Sequence, residues 1–260
     1  MLSNKEFIEQ FYLENKNTLE DFYPGVRAQK LLDVYCELYR KEENEFYFGD
    51  RKELFSKALK GVPFEHLLSS AYFYKSNFYV NKNVLIPRSE TEILVEDAVN
   101  WIKKRQSSDF KIAEVGVGSF VIGLSFLCEL DFPVSYWGGD ISDEALEVAD
   151  INRFRLSSKI HPKSKIKTVN SDCLNELNEN VDLILSNPPY IKSDAIDTVH
   201  KQVNLYEPYM ALYISSDRYD EWFENLFKDC CQKLNEGGAF FMEGHEDTLD
   251  SLQVIALKYF

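Results

Sequence analysis

Lys111-Ile112-Ala113-Glu114-Val115-Gly116-Val117-Gly118-Ser119 is an apolar run that breaks on two closely spaced glycines. Such a run bounded by glycine predicts a strand at 111–115, a tight turn, and a helix from about 119. Glycines in a strand-to-helix turn let a ligand approach the backbone closely. The spacing Gly116, Gly118, Gly123 does not match the dinucleotide fingerprint GxGxxG. Taken alone, the turn is also compatible with a connection that binds nothing.

Reading outward from this turn, the chain alternates. A helix is expected at 90–105, a strand at 134–139, a helix near 142–156, strands near 165–170 and at 181–186, a helix near 219–234 and a strand at 238–243. Strand–helix alternation of this kind implies α/β architecture, a parallel sheet with helices on both faces. Upstream, Phe7, Ile8, Phe11 and Tyr12 recur at helical spacing. So do Leu31, Leu32, Tyr35 and Leu38, and again Leu54, Phe55, Ala58 and Leu59. The β-formers between Tyr72 and Ile86, with turn-like Lys75-Ser76-Asn77 and Asn81-Lys82-Asn83, predict a β-hairpin ended by Pro87. The expected organisation is a helical bundle at 1–68, a hairpin linker at 69–88 and the α/β domain at 89–260.

Composition excludes several classes. The 260 residues are 45% hydrophobic and 28% charged, enough for a large α/β domain with a small appendage. No apolar run approaches the roughly 20 residues that span a bilayer. Met1 to Gln10 lacks a signal-peptide core, so a cytoplasmic protein is expected. Cys36, Cys128, Cys173, Cys230 and Cys231 form no CxxC pair, and no zinc spacing is present, so reduced thiols are expected. The net charge is −14. Residues 1–80 carry 11 basic and 13 acidic residues, which gives −2, and the rest carries 18 and 30, which gives −12. A polyphosphate partner is disfavoured by that field, so no direct nucleic-acid binding is expected.

The strand ends carry the candidate binding residues. Tyr136-Trp137-Gly138-Gly139-Asp140 ends in an acid 22 positions after Gly118. A carboxylate there is placed to accept ribose hydroxyls, with Ile141 beside it and Ser142 capping the next helix. Asp140 as a plain helix N-terminal acid is the alternative. Ser171-Asp172-Cys173 closes the third strand. Asp172 is a candidate acceptor for an adenine amino group, or else a loop acid, and Cys173 lines the same site or simply packs. Acids at three successive strand ends (Glu114, Asp140, Asp172) suit an adenosyl ligand better than a nicotinamide one, and Glu114 is placed to reach the amino-acid part of S-adenosylmethionine.

Val181-Asp182-Leu183-Ile184-Leu185-Ser186 runs into Asn187-Pro188-Pro189-Tyr190. Two prolines fix φ, remove two backbone donors and hold the preceding residues out of the helical region. The segment presents acceptors. The Asn187 side-chain oxygen and the Pro188 carbonyl can each take one N–H of a planar amide or amine, and Tyr190 can stack on that group. Holding a weak nucleophile in line with a methyl donor is worth up to roughly 7–11 kcal/mol. No general base is required before transfer. A proline-stiffened loop without chemistry is the alternative.

These segments resemble the HemK/PrmC family, methyltransferases that modify the glutamine of the Gly-Gly-Gln loop in peptide-chain release factors. The resemblance covers about 50–255. It rests on Lys60-Gly61-Val62-Pro63-Phe64-Glu65-His66-Leu67, Val84-Leu85-Ile86-Pro87-Arg88-Ser89-Glu90-Thr91-Glu92, Asn187-Pro188-Pro189-Tyr190-Ile191, Tyr206-Glu207-Pro208 with Ala211-Leu212, and Gly237-Gly238 ahead of Glu243. It implies a Rossmann-like class I methyltransferase sheet, S-adenosylmethionine as cofactor and a release factor as partner, docked by the helical N-terminus. It also implies that Pro87, Arg88 and Glu207 line the substrate side, that Asn187, Pro188 and Tyr190 hold the glutamine, and that Pro189 completes the catalytic segment. A surface ion pair with Glu92 is the alternative for Arg88, and a core position is the alternative for His66. Two departures carry expectations. Phe120 stands where the family's motif has its last glycine and is expected to crowd the methionine end of the cofactor. The family continues into final antiparallel strands beyond the last helix, so an exposed sheet edge is expected here. The competing readings are a nucleic-acid adenine methyltransferase, which also needs a basic groove and a flipped base, and a binding protein that has lost the cofactor.

Overall fold

The computed structural model describes residues 4–43, 51–105 and 109–260. Helices α1 (Asn4–Phe22), α2 (Ala28–Glu43), α3 (Arg51–Leu59) and α4 (Phe64–Leu68) come first. Strands β1 (Ala71–Phe73) and β2 (Ser76–Phe78) precede α5 (Thr91–Lys103), β3 (Phe110–Val115), α6 (Val121–Cys128), β4 (Val134–Asp140), α7 (Asp143–Leu156) and β5 (Lys165–Asn170). Next come β6 (Val181–Ser186), β7 (Ile191–Lys192), α8 (Lys201–Tyr206), β8 (Tyr213–Ile214), α9 (Tyr219–Lys233), β9 (Leu234–Met242) and α10 (Glu246–Ala256). The chain forms two compact units, Met1–Ser70 with Val199–Tyr206, and Ala71–Thr198 with Glu207–Phe260.

In the first unit, Ile8 and Leu19 of α1, Leu31, Val34 and Leu38 of α2, and Phe55 and Ala58 of α3 share one core. Met1 and the side chain of Leu54 lie outside the described residues. Tyr23 stacks on Phe64 at 4.4 Å, and its hydroxyl donates to the Val62 carbonyl at 2.6 Å. Gly61 has φ +80°, and a Cβ there would sit 2.2 Å from the Phe22 ring, so only glycine fits. Helix α8 belongs to this unit although it is far downstream, a departure from the contiguous bundle expected. Tyr206 donates to the Lys60 carbonyl at 2.6 Å, Gln202 donates to the Gly61 carbonyl at 2.8 Å, and Lys201 pairs with Asp21.

The second unit is built on a sheet of order β5-β4-β3-β6-β9, every pair parallel. Strands β3 and β6 are buried on both faces, which is why they read as apolar runs rather than alternations. Helix α6 is apolar all round and buried from Val121 to Leu127. Strand β9 starts earlier than expected and bulges. Val181 faces Leu234 but Leu183 faces Ala239, and the extra residues include Gly237 at φ +76°. β9 is one edge of the sheet, and its Phe240 stacks on Phe260 at 6.2 Å.

The hairpin is shorter than predicted and turns at Tyr74-Lys75 instead of Lys75-Ser76-Asn77, because Phe73 pairs with Ser76. It belongs to the second unit. Val84 to Ile86 is not a strand. The Ile86 N–H donates to the Glu207 carboxylate at 2.9 Å and is not free for a ladder. Asn152, buried in α7, ties this region to the glycine turn: it accepts from Tyr79 N and donates to the carbonyls of Tyr79 and Ser119.

Candidate active site

Strands β3, β4 and β5 run outward in one direction from the sheet centre, and β6 and β9 in the other. The order reverses between β3 and β6, where crevices form at strand C-termini in such sheets. A cavity of about 520 Å³ lies there, lined by the glycine turn, the ends of β4 and β5, the Asn-Pro-Pro segment and the stretch around Pro87.

Gly116 and Gly118 both line it with positive φ, +74° and +51°. A Cβ on either would meet nothing within 4 Å, so conformation, not crowding, selects glycine there. Asp140 also lines the cavity. Its Oδ2 accepts from Gly118 N at 2.8 Å and its Oδ1 from Ser142 N at 3.0 Å. Burial raises its pKa, and the bonds from Ser142 and Gly118 oppose that shift. The carboxylate thus shapes the turn as well as facing the cavity. Ile141, Asp172 and Cys173 complete this wall. Cys173 takes φ +48°, and burial beside Asp172 pushes its thiol up to about 12, so it stays a neutral wall group.

Two expectations are corrected. Glu114 does not line the cavity. It is fully buried beneath α6, and its Oε2 accepts from the Tyr136 hydroxyl at 2.7 Å. Burial pushes its carboxyl up to about 8, against the lowering effect of Tyr136. Its period-two position in β3 points it to the face opposite Val115, which does line the cavity. Phe120 does not crowd the cavity either. It takes the left-handed conformation of a glycine, φ 63° and ψ 28°, and its ring is fully buried 5.6 Å from that of Tyr136. Gly123 makes the room, since a Cβ there would sit 2.2 Å from the Phe120 ring.

Asn187, Pro188 and Pro189 line the cavity, brought there by the end of β6. Ser186, just before them, donates to the Val115 carbonyl at 2.9 Å and locks β6 to β3. The Asn187 Nδ2 donates to Thr91 Oγ1 at 3.2 Å. Tyr190 is not among the lining residues, contrary to the stacking role expected. Its hydroxyl donates to Glu243 at 3.1 Å, its carbonyl accepts from the Tyr219 hydroxyl at 3.1 Å, and burial with Glu243 nearby pushes its pKa up to about 12. It anchors the segment from behind.

Pro87 and Arg88 line the cavity and Glu207 does not. Glu207 is 7% exposed, and both its oxygens are engaged, one by Arg88 Nη2 at 2.6 Å and the other by Ile86 N. It is a brace for the Ile86–Arg88 strap and lies behind the cavity wall. The partner of Arg88 is therefore Glu207, 119 residues away, and not Glu92. Sequence reading missed Thr91, Ser142, Met210 and Trp222 as lining residues. Thr91 sits inside a motif already singled out. Nothing in the local pattern around Met210 or Trp222 marks them.

Relatives of known description match most of this chain. A release factor glutamine methyltransferase from Clostridium acetobutylicum is 30% identical over 256 residues, covering 96% of this chain and 85% of that one. The chain belongs to the release factor glutamine methyltransferase family. The family's member from Leptospira interrogans is 33% identical over 222 residues, covering 84% of this chain and 73% of its own. No protein-family model matches the chain. Among solved structures, a ribosomal protein L11 methylase from Lactobacillus delbrueckii subsp. bulgaricus is similar at TM-score 0.46 and 17% identity, covering 68% of this chain and 71% of that one.

Proposed function

We propose that this chain methylates the side-chain amide nitrogen of the glutamine in the Gly-Gly-Gln loop of a peptide-chain release factor, with S-adenosylmethionine as methyl donor. The observation that carries this reading is the pairing, in one cavity, of an Asn-Pro-Pro segment with the glycine turn and the Asp140 carboxylate. The fit of the donor rests on that wall. Open space lies where a Cβ at Gly116 or Gly118 would project, Asp140 and Asp172 supply acceptors for ribose and adenine, and Ile141 and Cys173 supply apolar surface. The volume falls in the ordinary range for small-molecule sites.

When bound, S-adenosylmethionine supplies an electrophilic methyl group, which the amide nitrogen's electron pair takes as the carbon–sulfur bond breaks toward sulfur, the surplus N–H proton then passing to water. The chain's own part is to hold the nucleophile. Asn187 Oδ1 and the Pro188 carbonyl each accept one amide N–H, which fixes the plane of the glutamine and leaves the face of the nitrogen toward the donor. Pro188 is buried overall and lines the cavity beside Asn187. Arg88, braced by Glu207, stands on the same wall. A release factor works in the cytoplasm, and we place the enzyme there. Among the described residues no helix is long and apolar enough to cross a membrane. The charge of −14 supports a protein substrate over a nucleic acid.

The test is methylation of a purified release factor, read as a mass increase of one methyl on the glutamine-bearing peptide. The wild-type chain should add it. Asn187→Ala should lower kcat at least 100-fold while leaving S-adenosylmethionine affinity within about threefold by calorimetry. Full activity in that variant would remove Asn187 from the mechanism.

A further inference from the structure

Helix α7 turns one stripe toward the stretch that follows β2. Ala145, Val148, Asn152 and Arg155 recur at spacings of three and four, which puts them on one face of a helix. Ala145 and Val148 share a small core with Val80 and Val84, and the Arg155 guanidinium lies over the Tyr79 ring at 5.2 Å. Asn152 is 1% exposed. Its Oδ1 accepts from Tyr79 N at 2.7 Å, and its Nδ2 donates to the carbonyls of Tyr79 and Ser119, both at 2.9 Å. A backbone N–H only donates and a carbonyl only accepts, so these partners admit one orientation of the amide and use both of its hydrogens.

Both stretches that Asn152 grips lead into the cavity wall. Ser119 lines the cavity with Gly116 and Gly118. From Tyr79 the chain turns at Asn81, whose side chain accepts from Asn83 N at 2.9 Å and whose carbonyl accepts from Val84 N at 3.3 Å. Asn83, Val84, Leu85, Pro87 and Arg88 then line the cavity. Glu207 holds this stretch at Ile86 and Arg88, and Asn152 holds its approach at Tyr79. Asn152 itself is not among the lining residues. We infer that Asn152 is a positioning residue that sets the glycine turn against the stretch at 83–88, and with it the separation of the methyl donor from the amide nitrogen. The inference rests on the glutamine methylation proposed above, with the donor along the glycine turn and the substrate beside Pro87 and Arg88. An error of about 1 Å in such a separation can cost on the order of 100-fold in rate, even when the change lies far from the chemistry.

Asn152→Leu keeps nearly the same shape and removes all three hydrogen bonds. Asn152→Asp keeps the acceptor, and regains one donated hydrogen only when its carboxyl is protonated. The experiment measures kcat and KM on a release factor from pH 6 to pH 9, each divided by the wild-type value at the same pH. Calorimetry with S-adenosylmethionine gives the donor affinity and the fraction of molecules competent to bind. Asn152→Leu should lower kcat about tenfold or more, with donor affinity and KM within about threefold of wild type and binding stoichiometry unchanged. Asn152→Asp should exceed the leucine variant in relative kcat at pH 6 and lose that advantage as pH rises. If Asn152→Leu does not fold, as judged by its melting curve, Asn152→Ala takes its place with the same expectations. Wild-type kcat in the leucine or alanine variant overturns the inference. So does a fall in kcat matched by an equal fall in binding stoichiometry, since that is the signature of a misfolded fraction alone. An aspartate variant no better than the leucine or alanine variant at pH 6 overturns it too, because the donated hydrogen would then be immaterial. A wild-type chain that leaves the glutamine unmodified would overturn the functional reading itself, and the inference with it.

Discussion

At the scale of single residues, two side chains carry costs that neighbouring residues offset. Phe120 occupies a left-handed backbone conformation that costs a non-glycine residue about 1–2 kcal/mol. Its buried ring returns more than that, since emptying such a site typically costs about 3–5 kcal/mol. Phe120→Gly should therefore destabilise the fold by on the order of 2 kcal/mol in urea denaturation, and it should bring no gain in S-adenosylmethionine affinity. A tighter-binding variant would return Phe120 to the cavity. Glu114 makes a second case. Burial raises its carboxyl from 4.5 to about 8, so the fold favours the protonated form and loses stability progressively as pH rises between those values. Glu114→Gln is neutral throughout and can still accept from Tyr136. Melting temperatures followed from pH 5 to pH 9 should fall more steeply for wild type than for the variant. Parallel curves would mean that Glu114 does not govern that window.

At the scale of elements, the cavity walls are set by contacts remote in sequence. The Ile86–Arg88 strap has no ladder of its own and is held by one carboxylate that arrives 119 to 121 residues later. Removing one partner of a buried pair usually costs several kcal/mol, but Arg88 is one-third exposed and solvent screens part of the loss. Glu207→Gln should lower stability by about 1–2 kcal/mol and raise the KM for the release factor several-fold, with less change in cofactor affinity. Steady-state kinetics beside calorimetry separates the two, and an unchanged KM would show that the strap needs no brace. The helix that opens at Thr91 and the strand that ends at Ser186 share one apolar core, and the Asn187–Thr91 hydrogen bond links them at the cavity.

At the scale of the whole molecule, the division of labour between sequence and tertiary structure follows from the range of the forces involved. Periodicity and punctuation are local, and they were legible. Apolar runs buried on both faces marked β3 and β6, glycine breaks marked the turn at Gly116 and Gly118, and two successive prolines marked the stiff segment after β6 that lines the cavity. Strand–helix alternation marked a parallel sheet, while its order, β5-β4-β3-β6-β9, came from the tertiary structure. What no local pattern could state is which way a side chain faces once the sheet is packed. Glu114 and Asp140 look alike as acids at strand ends, yet one lies under α6 against Tyr136 and the other meets Gly118 at the cavity. Tyr190 and Glu207 stand in motifs that read as substrate contacts, and packing turns both into supports. Helix α8 reads as part of the α/β domain, and its hydrogen bonds place it with the N-terminal helices. The sequence by itself determined the main strands and helices of the α/β unit, their alternation and the place of the Asn-Pro-Pro segment after β6. Only the tertiary structure decided which acids, hydroxyls and rings face the cavity, because that choice is made by partners separated by 22 to 121 residues along the chain.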